Sequence, residues 1–312
     1  MSKKVFMYVN GVIRTLRDVS RQHPKSIFDN EYMSNLKQAH LKYGIKITLN
    51  LFYRTDFFYG DDEFSLSEMT DDYKKEWEEN SDWLKLSAQS KQEYPDYPFV
   101  NIDYDDAKAV FGRIKNEIYR FAGEKSFSAN TIIPWHAISK DGCRALYDLG
   151  IKSINMTEGK ASEFNGDILS LPHGHAQRLL SNRKPETKVW FWNDKFHSDI
   201  ANAICGYNHL EDGIPHVNGK KQYVYKDEET GISFIQLDRG ASLKQYNTNG
   251  LSVYFKQSNL KKDNVIVPCS YHEMYFYNDF YMYQPDYADK LLLAAKTYKE
   301  NDFEFIFGDE LL

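Results

Sequence analysis

Residues 265–273 read VIVPCSYHE and run directly into the aromatic stretch MYFYNDFYMYQPDY (274–287). An apolar run of this length between polar segments is a buried strand, and it delivers His272 and Glu273 at its C-terminal edge. Strand ends are where (β/α) barrels build their sites, because packed strands hold the last residues rigid while loops supply contacts. The opposite end of the chain repeats the device. VFMYV (5–9) is another apolar strand, and it stops at Asn10-Gly11.

Four further segments share one grammar: an amphipathic helix, a Gly or Asn stop, then an apolar strand. In EYMSNLKQAHLKYG, Tyr32, Leu36, Ala39 and Tyr43 fall on one helical face, Gly44 closes the helix, and Ile45 to Tyr53 form the strand. DDAKAVFGRIKNEIYRFAG places Val110, Phe111, Ile114, Ile118 and Phe121 inward, ahead of the strand NTIIPWH (130–136). SKDGCRALYDLG carries Ser139 as a cap and Gly150 as a stop before IKSINMT. ADKLLLAAKTYKEN buries Leu291, Leu292, Ala295 and Tyr298, takes Asn301 as its left-handed stop, and leads into DFEFIF. Such alternation predicts parallel strands with helices outside. With the run DWLKLSA (82–88), the expectation is an α/β fold: a (β/α) barrel of seven or eight parallel strands. A hairpin with the turn DEETG lies in KQYVYKDEETGISFIQLD, so residues 1–312 read as one barrel domain with a decorated insertion at about 205–264.

Composition bounds the function. A formal net charge of −6, with no long Lys/Arg run, argues against a nucleic-acid partner. No apolar stretch approaches the roughly 20 residues of a bilayer span, so no membrane partner is expected. The short strand after Lys3 and Lys4 is too brief for a secretory h-region. Three widely spaced cysteines, Cys143, Cys205 and Cys269, suit reduced thiols and a cytoplasmic location. There is no GxxxxGK(S/T), no GxGxxG after a strand and no GxSxG elbow, so nothing supports nucleotide chemistry.

Reading off the strand ends gives Asn10, Arg54, Gln89, Glu93, Trp135, His136, Glu158, His272 and Glu273, with Asp309 and Glu310 after the last strand. Trp190 and Trp192 in KVWFWND alternate on one strand face, either as a platform for a sugar ring or as core. His173 and His175 in SLPHGHAQ have metal-like spacing but no carboxylate to complete a set.

The order of elements and SYHE resemble the polysaccharide deacetylase (NodB-homology) family, across most of the chain. The resemblance implies a distorted barrel that hydrolyses acetyl groups on sugars with a divalent metal. It puts the family's acidic pair at Asn10-Gly11, its first metal histidine near Gln89, its second at Glu93, and its late-strand histidine at His272. Asn10, Gln89 and Glu93 together carry one charge and no imidazole, a poor set for zinc. The expectation is therefore a carbohydrate-related hydrolase with no cofactor, a divalent metal such as zinc being the alternative that the resemblance carries. His272 is taken as the general acid and Glu273 as its orienting partner, with Asn10, Arg54, Gln89, Glu93, Trp135, His136, Trp190 and Trp192 binding a carbohydrate substrate. Two other readings stand beside it. One is a catalytically silent saccharide-binding or scaffold barrel. The other is a metal-free glycoside hydrolase using paired carboxylates drawn from Glu93, Glu158 and Glu273.

Overall fold

The fold is described from a computed structural model, which places residues 3–55, 62–93, 98–99, 102–134, 137–156, 203–205, 216–217, 220–221, 224–236, 241–258, 260, 266–280 and 282–312. In chain order the elements used below are β1 (Lys3–Val12), α1 (Arg14–Gln22), α2 (Glu31–Tyr43), β2 (Ile47–Phe52), α3 (Lys74–Glu79), β3 (Leu84–Ser90), α4 (Tyr104–Phe121), β4 (Asn130–Ile132), β5 (Ala137–Ser139), α5 (Lys140–Asp148), β6 (Ser153–Met156), β7 (Ala203–Cys205), β8 (His216–Val217), β9 (Lys220–Lys221), β10 (Val224–Lys226), β11 (Ser233–Gln236), β12 (Ala241–Ser242), α6 (Thr248–Gln257), β13 (Ile266–His272), α7 (Tyr287–Glu300) and β14 (Phe303–Phe305).

The structure is a mostly parallel α/β arrangement. One sheet runs β12-β13-β1-β2-β3, with β14 also on β1, and every pairing in it is parallel. A second sheet runs β10-β11-β6-β4, where only the β10–β11 hairpin is antiparallel. The two meet at β3 and β4: Ser128 N–H donates to the Leu86 carbonyl at 2.8 Å, and the Thr131 hydroxyl to that of Ala88 at 2.6 Å.

Side-chain alternation separates the two faces of the first sheet. Val5, Met7 and Val9, Ile47, Leu49 and Leu51, and Leu84, Leu86 and Ala88 are buried in one large apolar core. That core includes the inward stripes of α2, α4 and α7 predicted from sequence: Leu36 and Ala39, Phe111 and Ile114, Leu291 and Tyr298. On the other face β1 runs from Phe6 and Tyr8 to Asn10, while β2 presents Thr48 and Asn50, and β3 presents Lys85, Ser87 and Gln89. Phe6 and Tyr8 join Ile132, Ile235 and Ile306 in a second cluster between the sheets. Beyond it on the same face stand Asn10, Asn50 and Gln89, all buried.

Several helix stops behave as their residues require. Gly44 and Gly150 have φ of +73° and +91°. The stop after α7 differs from expectation: Asn301 keeps φ −105° and the left-handed residue is Asp302, at φ +61°. Asn301 N–H bonds the Thr297 and Tyr298 carbonyls, so the turn tightens before the chain reverses. The DEETG hairpin forms as read, with Asp227 accepting from Thr230 N–H at 3.1 Å and Gly231 at φ +79°. Its strand β11 pairs in parallel with β6, and β12 with β13, so parts of the stretch read as an insertion sit within the sheets.

The last strand also changes a sequence reading. β14 pairs with the beginning of β1, Lys3 to Val5, and the chain then turns so that Glu310 meets Lys46 and Asp309 faces Ala129 N–H. Asp309 and Glu310 therefore lie by the starts of β2 and β4, at the end of the strands opposite His272.

Gly11 interrupts the β1–β2 ladder between Val9 and Val12, at φ +69°. A bulge of this kind uses glycine because a side chain is strained at positive φ, and a Cβ here would lie 3.0 Å from the Phe52 ring. Gly11→Ala should lower stability by about 1–2 kcal/mol; an unchanged urea midpoint would show that this conformation is not required.

Candidate functional site

The ends of β13, β1, β2 and β3 bring a row of polar side chains onto one face. Asn10 is the register partner of His272, and Asn50 that of Ser87, in parallel pairs that point partners the same way. Asn50 Nδ2 donates to Asn10 Oδ1 at 3.1 Å and joins the two halves. One step further along β3, Gln89 Oε1 accepts from the Gly11 N–H at 2.7 Å. The bulge thus turns a backbone donor away from the ladder and onto the row. His272, Asn10, Asn50, Ser87 and Gln89 form one continuous, uncharged surface.

Tyrosines hold the histidine end of this row. His272 N–H donates to the Tyr287 hydroxyl at 2.8 Å, and Tyr271 stacks on Tyr287 with ring centres 4.1 Å apart. Tyr275 meets the imidazole edge-on at 6.1 Å. Burial pushes the His272 pKa well below its usual value, and the charge of Lys244 acts in the same direction. The ring is therefore neutral at physiological pH, an acceptor of protons before it is a donor of them.

Glu273 has a different role from the one its position in sequence suggested. Its carboxylate accepts from Ile13 N–H at 2.9 Å, Arg14 N–H at 2.8 Å and Thr15 N–H at 2.7 Å. These are the free donors at the start of α1, whose own cap residue, Ile13, offers no side-chain bond. The strand ends at His272 and Glu273 opens a 3-10 turn, where both its carboxylate oxygens are taken by α1 rather than by the imidazole. Glu273 caps a helix from far away in sequence. Burial raises its pKa while the three N–H bonds and Thr15 oppose the rise. Arg14 completes the junction, pairing with Asp279 and lying 4.1 Å over the Tyr277 ring.

The remaining predicted residues divide. Asn10 and Gln89 are in the row. Arg54 lies where β2 ends, exposed, with Nε on Gln92 Oε1 at 2.5 Å. Glu93 is half-buried in the segment after β3. Trp135, His136, Trp190 and Trp192, with Glu158, His173 and His175, lie outside the described residues. Sequence reading missed Asn50 and Ser87. Their signal was the alternation Thr48, Asn50 and Ser87, Gln89 inside strands taken as wholly apolar.

The row does not suit the metal that the family resemblance implies. Asn10 Oδ1 and Gln89 Oε1 are neutral and already accept hydrogen bonds, whereas zinc is held by charged or imidazole ligands. Among the described residues, no three or more of His, Cys, Asp and Glu gather as a cation site.

Glu273→Ala would leave three buried N–H groups without an acceptor, and should lower stability by about 2–4 kcal/mol; a loss below about 1 kcal/mol in chemical denaturation would contradict the capping role. The pH dependence follows from His272. Its folded pKa lies below its unfolded one, so the unfolded chain takes up more protons as pH falls below about 6.5, and stability declines in that window. Melting temperatures should therefore fall from about pH 7 toward pH 5, and His272→Gln should flatten that decline. An identical slope in the variant would assign the effect elsewhere.

No known protein family matches the sequence, and no curated protein does. Among solved structures, the chain is similar to a 4-alpha-glucanotransferase from Thermococcus litoralis, at 9% identity and TM-score 0.49, over 99% of this chain and 40% of that one. It is similar to the Xyl-CE4 domain of a multidomain xylanase from the hindgut metagenome of Trinervitermes trinervoides, at 9% identity and TM-score 0.41, over 100% and 90%. A GH57 branching enzyme from Thermococcus kodakaraensis gives 8% identity and TM-score 0.48, over 100% and 71%. The chain spans about 40% of the length of the glucanotransferase. Likeness at these scores assigns neither a family nor an activity.

Proposed function

We propose that this chain binds an uncharged saccharide at the ends of β13, β1, β2 and β3, without a metal ion, as the mouth of a (β/α) barrel whose walls are the two mostly parallel sheets. The observation that carries the reading is the uncharged row itself. Its amides and imidazole carry both donors and acceptors, which suits hydroxyl groups, while the acid after β13 is committed to the start of α1. The aromatic segment after His272 leaves Met282 and Tyr283 exposed near that strand end, surfaces suited to the C–H face of a sugar ring. The apolar cluster between the sheets supports closure of the barrel below the row.

A second reading, hydrolysis of a bond in that saccharide, is favoured by one feature: a neutral imidazole beside Asn10 at the strand ends. His272 would then accept a proton in the rate-determining step rather than donate it.

Calorimetric titration of EDTA-treated protein with neutral xylo- and gluco-oligosaccharides should show binding, weakened about tenfold or more by Asn10→Ala. Binding that appears only after zinc is added, or none to any neutral saccharide, would overturn the proposal. For the hydrolytic reading, His272→Ala should slow turnover by about 100-fold or more; a rate left unchanged would remove it.

A further inference from the structure

Among the described residues, two buried polar atoms on the row have no hydrogen-bond partner, and they belong to neighbouring strands. Asn50 is 1% exposed and Ser87 is 0% exposed. Asn50 Oδ1 and Ser87 Oγ are both unpaired. The two residues are register partners on β2 and β3, strands about 4.8 Å apart in a ladder of this kind. Other unpaired buried atoms, on Tyr32, Trp77 and Asp309, are scattered through the molecule. An unpaired polar group in a protein interior is exceptional, and a neighbouring pair more so.

The chemistry of the pair selects its occupant. Asn50 Nδ2 gives one hydrogen to Asn10, and the unpaired atom of the amide is its carbonyl oxygen, an acceptor. The Ser87 hydroxyl can give one hydrogen and accept another. One incoming O–H can therefore donate to Asn50 Oδ1 while its oxygen accepts from Ser87 Oγ–H. An anion would face the Asn50 carbonyl with nothing to donate. An ammonium would be buried beside neutral partners, where an unpaired charge is costly.

Resting on the saccharide reading of this face, we infer that Asn50 and Ser87 form a subsite for a single uncharged hydroxyl group, supplied by a bound water or by a sugar. The subsite lies beside Asn10, so whatever fills it fixes the Asn50 amide that supports Asn10, and through it the neighbour of His272. This gives Asn50 a positioning role.

The test is a high-resolution crystal structure of the full chain, without additive and after soaking in glycerol, for the wild type and Ser87→Ala. Melting curves and xylo-oligosaccharide titrations of both proteins accompany it. An oxygen within hydrogen-bonding distance of both atoms is expected in the wild type and lost in the variant. A lone oxygen unmoved by glycerol, with a lower melting temperature for Ser87→Ala and unchanged titrations, identifies water as the occupant. Density extending into a glycerol carbon, with about tenfold weaker saccharide binding in the variant, identifies the sugar hydroxyl. A wild-type structure with no atom there, or a higher melting temperature for Ser87→Ala, overturns the inference. An occupied subsite in a protein that binds no saccharide would remove the functional reading and leave this one standing; saccharide binding over an empty subsite would do the reverse.

Discussion

The parallel pairing of β1 with β13, in register from Lys4–Ile266 to Asn10–His272, joins the first strand of the chain to one of its last. Everything else in the site hangs from that seam. It fixes which face of each strand meets the helices, because a shift of one residue would exchange Val5, Met7 and Val9 for Phe6, Tyr8 and Asn10. It also sets Asn10 beside His272 and brings Glu273 under the start of α1. One carboxylate holding three N–H groups of α1 locks the seam at its open end, and the Tyr271–Tyr287 stack holds it from the helix side.

The same seam explains how a buried polar surface is tolerated. Along the inner face the strands pass from Phe6, through Tyr8 and Thr48, to Asn10 and Asn50, while the outer face stays apolar throughout. Amides that bond one another satisfy much of the desolvation of the row. Charged groups in that position would require counter-ions, and the acid closest in sequence has been diverted to a helix start instead. A site made this way discriminates by hydrogen-bond geometry rather than by charge.

Much of the scaffold was legible because its causes are local. The apolar strands, the helix faces around Leu36, Phe111 and Leu291, the stops at Gly44 and Gly150 and the DEETG hairpin each follow from periodicity or turn chemistry within a few residues. What was not legible depended on distant parts of the chain. The start of α1 carries no capping side chain of its own, so its cap, Glu273, could be found only in three dimensions. Asp309 and Glu310 follow a strand, but β14 pairs with the beginning of β1 and carries them to the wrong end for a site with His272. Of the site, Asn10, Gln89 and His272 were visible as strand ends. Asn50 and Ser87 were not, since a short strand with large apolar neighbours reads as core until its alternation is taken seriously.

In the proposed site the amides of the row meet a neutral ligand directly. Selective ¹⁵N labelling of Asn and Gln would make the side-chain NH₂ signals of Asn10, Asn50 and Gln89 visible during titration of metal-free protein with a neutral oligosaccharide. The prediction is that these three signals shift together and saturate with one binding curve, and that EDTA changes nothing. Shifts confined to amides elsewhere in the chain, or movement of these three only when zinc is added, would contradict it.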